Sequence, residues 1–374
     1  SSLRELYSSD GMESTNQLIF GMMNHRYFSD HSTINSFNDF PLQTEAESNI
    51  LGAYGQNTAR YSNYLYLNLS ARNDWFSSLL QENRSHFYPS VSLSFIPSYV
   101  MEFLRESASF DFLKLRIGYG TSAGFPPLYV TEIELFSNAR GYVARDGAVV
   151  ATNGVSFFLG NPDLQPELHA ETELGIEFAM FKNRLGADFT LYRKTTNNLI
   201  TDASLDPATG YYQTYVNIGE MMNRGLELEL YLTPVRTTHF DWTITGIFTK
   251  YESVVEELGA GLDKVLISGF SDLGNYAIAG QPYGVMYGYK IARDEDDNFI
   301  VDGGGNYLQS DEPEIIGNPH PDFEASIINR FTYKGLSLNV QFDYRQGGDI
   351  FSETVNTLLG RGLTKDTDFD RQET

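Results

Sequence analysis

Leu226-Glu227-Leu228-Glu229-Leu230-Tyr231-Leu232 places a leucine at every second position, with an acid or a tyrosine between. Successive side chains of a strand point to opposite faces, so this stretch predicts a β-strand with one wholly apolar face. The same one-sided alternation recurs along the chain. Leu65, Leu67, Leu69 and Ala71 oppose Tyr66, Asn68, Ser70 and Arg72. Val91, Leu93 and Phe95 oppose Ser90, Ser92 and Ser94, and Leu113, Leu115, Ile117 and Tyr119 oppose Lys114, Arg116, Gly118 and Gly120. Leu174, Ile176, Phe178 and Met180 oppose Glu173, Gly175, Glu177 and Ala179; Leu185, Ala187, Phe189 and Leu191 oppose Gly186, Asp188, Thr190 and Tyr192. Near the end, Leu336, Leu338, Val340, Phe342 and Tyr344 oppose Ser337, Asn339, Gln341, Asp343 and Arg345.

A soluble sandwich also alternates, since one face of each sheet meets water. These stripes run ~9–11 residues, enough for a tilted strand to cross a bilayer, whereas soluble strands are typically ~5–6. Apolar faces end in aromatics at Tyr119, Trp242, Tyr333 and Tyr344, where interfacial girdles belong. The pattern predicts an all-β, antiparallel transmembrane β-barrel.

Connections come in two kinds. Lys182–Arg184, Pro234–His239 and Tyr333-Lys334-Gly335 read as tight turns. Thr121 to His169, Asn197 to Thr214, and the stretch after Tyr251 read as long and polar. Short turns on one side and long extracellular loops on the other are the asymmetry of outer-membrane barrels. With the turns at Pro234 and Lys334 on the same side, parity makes residues 252–321 one external excursion, including the strand-like Val285–Ile291. Val100–Glu106 reads as a short helix in a longer periplasmic connection.

Composition agrees. There are 24 Tyr and 26 Phe with a mean hydropathy of −0.30, a polar chain rich in aromatics. No cysteine is present, which excludes disulfides, thiolate metal sites and a Cys nucleophile. The net charge of −23 argues against nucleic acid as a partner. No run of ~18 apolar residues is found, so no transmembrane helix is expected. Ser1 opens without a signal peptide and the chain ends on acidic 366–374, so residues 1–374 read as a barrel segment incomplete at both ends, with no plug domain.

Candidate chemistry is sparse. The six histidines, His25, His31, His86, His169, His239 and His320, show no metal-ligand spacing, and neither HExxH nor GxSxG occurs. His169 with Glu167 reads as a polar strand entrance. The run Asp294–Asn298 with Asp302 suggests an oxygen-ligand calcium loop, but it lacks the glycine at the sixth position and the Glu at the twelfth. It reads as a solvated acidic loop. Gly303-Gly304-Gly305 and Gly259-Ala260-Gly261 read as loop punctuation. Trp75, Phe76, Tyr211, Tyr212 and Tyr215 lie in or beside the loops and could stack on sugars or peptides. No enzyme, catalytic residue, metal or cofactor is expected.

Several blocks resemble one family. Arg72-Asn73-Asp74-Trp75-Phe76-Ser77, Glu82-Asn83-Arg84 and Tyr88-Pro89-Ser90-Val91-Ser92 are similar to a block of SusC/RagA-like TonB-dependent transporters. Lys114-Leu115-Arg116, Asn161-Pro162-Asp163-Leu164-Gln165-Pro166-Glu167, Leu191–Thr195 and Asn198-Leu199-Ile200 continue the resemblance. So do Asn183-Arg184-Leu185, Asn217-Ile218-Gly219, Asn223-Arg224-Gly225-Leu226-Glu227 and Gly317–Phe323 with Tyr333-Lys334-Gly335. The match runs from about Ser48 to Asp349.

The resemblance implies part of an outer-membrane barrel of the ~22-stranded, plugged kind. It implies TonB-driven import of glycans, oligosaccharides or peptides beneath a SusD-like surface lipoprotein, with the TonB contact made by an N-terminal part absent from this sequence. The expected location is the outer membrane, and the chain reads as the carboxy-terminal part of such an importer. Glu173, Glu177, Glu227 and Glu229 would then face a hydrated lumen, and the apolar stripes would face lipid. The rival reading is a structural or docking barrel subunit that no longer transports. A soluble adhesin fits the loop asymmetry poorly.

Overall fold

The computed structural model describes residues 2–9, 44–143, 145–147, 149–259, 262–304 and 307–365. Strands β1 (Ser2–Ser9), β2 (Thr44–Tyr61), β3 (Leu65–Phe76), β4 (Ser85–Phe95) and β5 (Phe110–Gly124) open the fold. Strands β6 (Leu135–Val143), β7 (Val149–Val155) and β8 (Phe158–Leu159) follow. Then come β9 (Glu167–Met180), β10 (Leu185–Ser204), β11 (Gln213–Arg236) and β12 (Phe240–Glu257). Four short strands, β13 (Lys264–Phe270), β14 (Leu273–Ile278), β15 (Val285–Gly288) and β16 (Glu314–Gly317), precede β17 (Pro321–Tyr333) and β18 (Leu336–Gly347).

Eleven strands form one antiparallel wall in the order β1-β2-β3-β4-β5-β9-β10-β11-β12-β17-β18, with β8 pairing β11 off the path. Neighbours in the wall are neighbours in sequence except where β6–β8 and β13–β16 are looped out. The wall is open at β1 and β18. Strands β13–β16 form a separate four-stranded sheet, and β6 and β7 a hairpin.

Register turns the separate stripes into one surface. One row runs Leu65, Phe95, Leu115, Ile176, Phe189, Leu228, Phe248, Ala325 and Tyr344 across nine strands. The next runs Leu113, Phe178, Ala187, Leu230, Gly246, Ile327 and Phe342. A slip of one residue anywhere would send that strand's apolar side chains to the polar face. Leu174, Leu230 and Ile327 on this face are 49%, 43% and 52% exposed. A contiguous apolar surface of this breadth exceeds what a soluble monomer leaves to water.

The two ends of the wall differ. At one end the connections are 62–64, 96–109, 181–184, 237–239 and 334–335; at the other, 77–84, 125–166, 205–212 and 258–320. We call these the turn end and the loop end. Lys334 and Gly335 both adopt positive φ, 45° and 88°, the two-residue hairpin geometry that matches strand twist. At 181–184, Phe181, Lys182 and Asn183 are likewise left-handed. The helix expected at 100–106 is present at Glu102–Arg105, at the turn end, with Leu104 buried.

Three expectations need correction. The stretch from Asn197 to Thr214 is not a long loop, because β10 continues to Ser204 and β11 begins at Gln213. Pairing persists because this extension finds an apolar partner in the loop-end packing described below. The strand-like Val285–Ile291 forms a strand only over Val285–Gly288; beyond it Ile291 makes an isolated bridge to Gln309. The excursion expected over 252–321 is also shorter: the chain leaves the wall after Glu257 and rejoins it at Pro321.

Candidate functional site

The polar face of the wall is held together by ions. Lys114 and Arg116 of β5 stand among carboxylates of β9 and β10. The Arg116 guanidinium binds both Asp188 oxygens, at 2.7 and 2.9 Å, and donates to Glu173 at 3.0 Å. To reach Asp188 it crosses over Gly175, its register partner, where a Cβ would collide with the guanidinium. Glycine at 175 is thus a requirement of the ion pair. Lys114 pairs with Glu177 at 3.2 Å. Glu171, Glu227 and Glu229 have no ion-pair partner among the described residues, leaving this face net acidic. A groove of about 330 Å³ lies here, floored by Ser90, Ser92, Gly118 and Gly120 and edged by Glu171 and Lys194. Small floor residues and charged edges give a wettable surface that can pass or hold polar solutes.

The loop end is a packed structure. Leu164 is fully buried with Leu79 and Val130, against Phe125, Phe158 and Tyr215. This cluster fastens the 77–84 and 125–166 connections to β11. Hydrogen bonds then knit the same region. Asn161 donates to the Tyr215 carbonyl at 2.8 Å, and Asn83 donates to the Leu164 carbonyl at 3.0 Å. The Asn217 amide accepts from Gln165 N–H and donates to the Gln165 and Asn198 carbonyls, at 2.8, 2.8 and 2.9 Å. Asn83, Asn161, Leu164, Asn198 and Asn217, which come from four separate resemblance blocks, therefore meet at one place. Asn217→Ala is expected to cost ~1–3 kcal/mol by leaving these backbone groups unpaired. The check is earlier proteolysis within 125–166, with no change in the wall.

A second core joins the wall to the β13–β16 sheet: Ile218, Val255, Leu258, Val265 and Ala277. It begins where Asn198 and Gly219, facing each other across β10 and β11, both take left-handed backbone, φ 56° and 51°. Only glycine fits at 219, since a Cβ would run into the Glu257 carbonyl. Below, His320 ties this sheet to the wall. One ring nitrogen lies 2.6 Å from the Tyr283 carbonyl and the other 3.5 Å from the Tyr251 hydroxyl.

The sequence-predicted chemistry settles as follows. His169 lies 3.5 Å from Glu167 and 3.0 Å from the buried Thr196 hydroxyl. Glu167 also accepts the Ile200 N–H at 2.7 Å, so the pair braces β9 against β10 at the strand entrance. Asp294 accepts from the Asp296 and Asn298 N–H groups at 3.0 and 2.9 Å and closes a turn. These bonds hold its carboxyl below the ordinary carboxylate range. Its contribution to the turn is therefore complete above the usual Asp value and lost as pH falls through the depressed one. Among the described residues no three His, Asp or Glu side chains form a metal-binding group. Gly305, Ala260, Gly261, His25 and His31 lie outside the described residues. Phe76 is buried against Phe125, whereas Trp75 is partly exposed on the apolar face. Tyr212 packs on Phe157, and Tyr215 on Phe158.

Comparison with known proteins gives consistent results. The family described as "TonB dependent receptor-like, beta-barrel" matches residues 4–369. TonB-dependent receptor P26 of Formosa agariphila is 26% identical over 84% of this chain and 33% of its own length. TonB-dependent receptor SusC of Bacteroides thetaiotaomicron is 23% identical over 76% of the chain and 30% of its own length. Among solved structures, the RagAB peptide transporter matches 86% of this chain and 36% of its own, at 25% identity and a TM-score of 0.71. The chain thus spans about a third of the length of the curated relatives it matches.

Proposed function

The chain belongs to the TonB-dependent receptor β-barrel family, and from that premise we propose that it forms one wall of an outer-membrane importer. The apolar face meets lipid and the ion-paired face lines a hydrated lumen. The loop end lies outside the cell, and residues 258–320, which leave the wall, are an extracellular excursion. The cargo is a glycan, oligosaccharide or peptide, passed through the lumen without covalent chemistry. A SusD-like surface lipoprotein captures it above, and a part of the receptor outside this chain couples to TonB.

The observation that carries this reading is the union of a continuous apolar surface with an opposite face of charged side chains, on which Lys114 and Arg116 are ion-paired and an excess of acids remains. Acids such as Glu173 and Glu177 are tolerated there because they meet water and cations instead of hydrocarbon. Peptide cargo draws support from the likeness to the RagAB peptide transporter, and glycan or oligosaccharide cargo from the family resemblance of the sequence blocks. The test is uptake of labelled oligosaccharides and peptides by cells lacking the receptor, and by cells with the receptor but no TonB. Both should lose uptake of the same cargo. Uptake unchanged in both strains would favour the structural, non-transporting subunit.

A further inference from the structure

At the turn end, between the β2–β3 turn and the β4–β5 connection, lies a cavity of about 640 Å³ lined by Ser62, Asn63, Tyr64, Ser98, Tyr99 and Arg105. In a chain of net charge −23 this lining holds an arginine and no acid. Both of its sides are anchored. Arg60 donates to the Ser62 carbonyl at 2.7 Å and to the Asn63 side-chain oxygen, which leaves the Asn63 amide N–H groups to offer. Opposite, the buried Ser98 hydroxyl accepts the Leu113 N–H at 3.1 Å, and Leu104 of the short helix Glu102–Arg105 is buried. Tyr99 and the Arg105 side chain beside these anchors stay 51% and 57% exposed. The Arg105 guanidinium meets Glu106 only at 4.0 Å, with both side chains exposed. Such a contact is worth little in water, so the guanidinium is available to an anion.

The same cavity is continuous with the apolar face. The Tyr64 ring packs edge-on against Phe95 and Tyr61, and Phe95 and Tyr61 are both register partners of Leu65. Along the β4–β5 connection Val100, Met101 and Phe103 are exposed too. A cation and N–H donors set one ring away from an apolar wall match a molecule that carries a phosphate on hydrocarbon chains. A free anion would make no use of Tyr61 and Phe95, and an acidic protein segment would have to leave water to reach them. We propose that this cavity holds the phosphate of a phospholipid in the periplasmic leaflet, with Arg105 on the phosphate and the acyl chains along Tyr61 and Phe95. The proposal rests on the reading above, in which the apolar face meets lipid and the loop end lies outside the cell.

The experiment is crosslinking of the whole receptor in detergent to phosphatidylglycerol with a photoreactive acyl chain, the labelled peptides being mapped by mass spectrometry. Wild type, Arg105→Gln and Arg105→Lys are compared, each shown to be folded by heat-modifiable migration. Labelling of 61–64 and 96–109 should fall about fivefold or more in Arg105→Gln and largely return in Arg105→Lys. Labelling of 226–232 on the apolar face should stay level throughout. An equal concentration of inorganic phosphate should change none of these. Equal labelling of 61–64 and 96–109 in wild type and Arg105→Gln overturns the headgroup site and leaves a plain apolar contact. Loss of that labelling to inorganic phosphate overturns it as well, making the cavity a site for free anions. Labelling of 226–232 without any at 61–64 or 96–109 removes lipid from the cavity and keeps the lipid-facing wall. No labelling at 226–232 either would overturn the lipid-facing reading itself, and this site with it.

Discussion

Leu228→Arg in the whole receptor is expected to cost ~2–4 kcal/mol of barrel stability, while Glu227→Arg one residue away costs little. Leu228 sits mid-row between Phe189 and Phe248 on the apolar face. An arginine there must leave its charge in hydrocarbon or drag water to it. Glu227 lies on the polar face between Thr190 and Thr249, where a cation adds to a surface already rich in acids. The heat-resistant folded fraction in detergent, followed against denaturant, separates the two. Equal losses would mean that the two faces are not in different solvents.

Gly219→Val is expected to be the second large effect, about 3 kcal/mol or more, from left-handed backbone strain and collision with the Glu257 carbonyl. The damage should be local. Ile218, next in sequence, anchors the core formed with Val255, Leu258, Val265 and Ala277. Protease sites within 258–320 should open while the wall keeps its heat resistance. Gly246→Ala, at a site with room for a Cβ, should change neither.

The wall was legible because its signal is a period of two sustained over long stretches with Leu, Val and Phe on one side. Those residues fix the face and the register together, so the rows from Leu65 to Tyr344 follow from the stripes. Strand β2 carries no such stripe. Its apolar-side positions include Gly55 and Asn57, opposite Ala71 and Leu69, and backbone pairing with β3 supplies what side chains do not announce. Strand β1, Ser2–Ser9, was missed for a similar reason: its leucines, Leu3 and Leu6, stand three apart, so its sequence shows no period of two. The extension of β10 beyond Asn197 was misread because most of its side chains are polar and its apolar residues, Leu199, Ile200 and Ala203, make no alternating stripe. What holds it is a distant core from β12–β14, and no local pattern encodes that partner. The loop-end cluster was half visible. Asn83, Asn161, Asn198 and Asn217 appeared as parts of resemblance blocks, but only the fold shows that their hydrogen bonds converge on Leu164, Gln165, Asn198 and Tyr215. The pairing of Arg116 with Asp188 was hidden too, since the two lie on strands separated by β9.

Sidedness tests the central claim most directly, because lipid-facing, lumen-facing and extracellular assignments all depend on it. An epitope inserted after Gly304, in the loop-end excursion, and another in the turn at Lys334-Gly335 should be probed on intact and on permeabilised cells. The account predicts that the Gly304 epitope is labelled on intact cells and the Lys334 epitope only after permeabilisation. The reverse pattern, or Gly304 labelling only after permeabilisation, would contradict it.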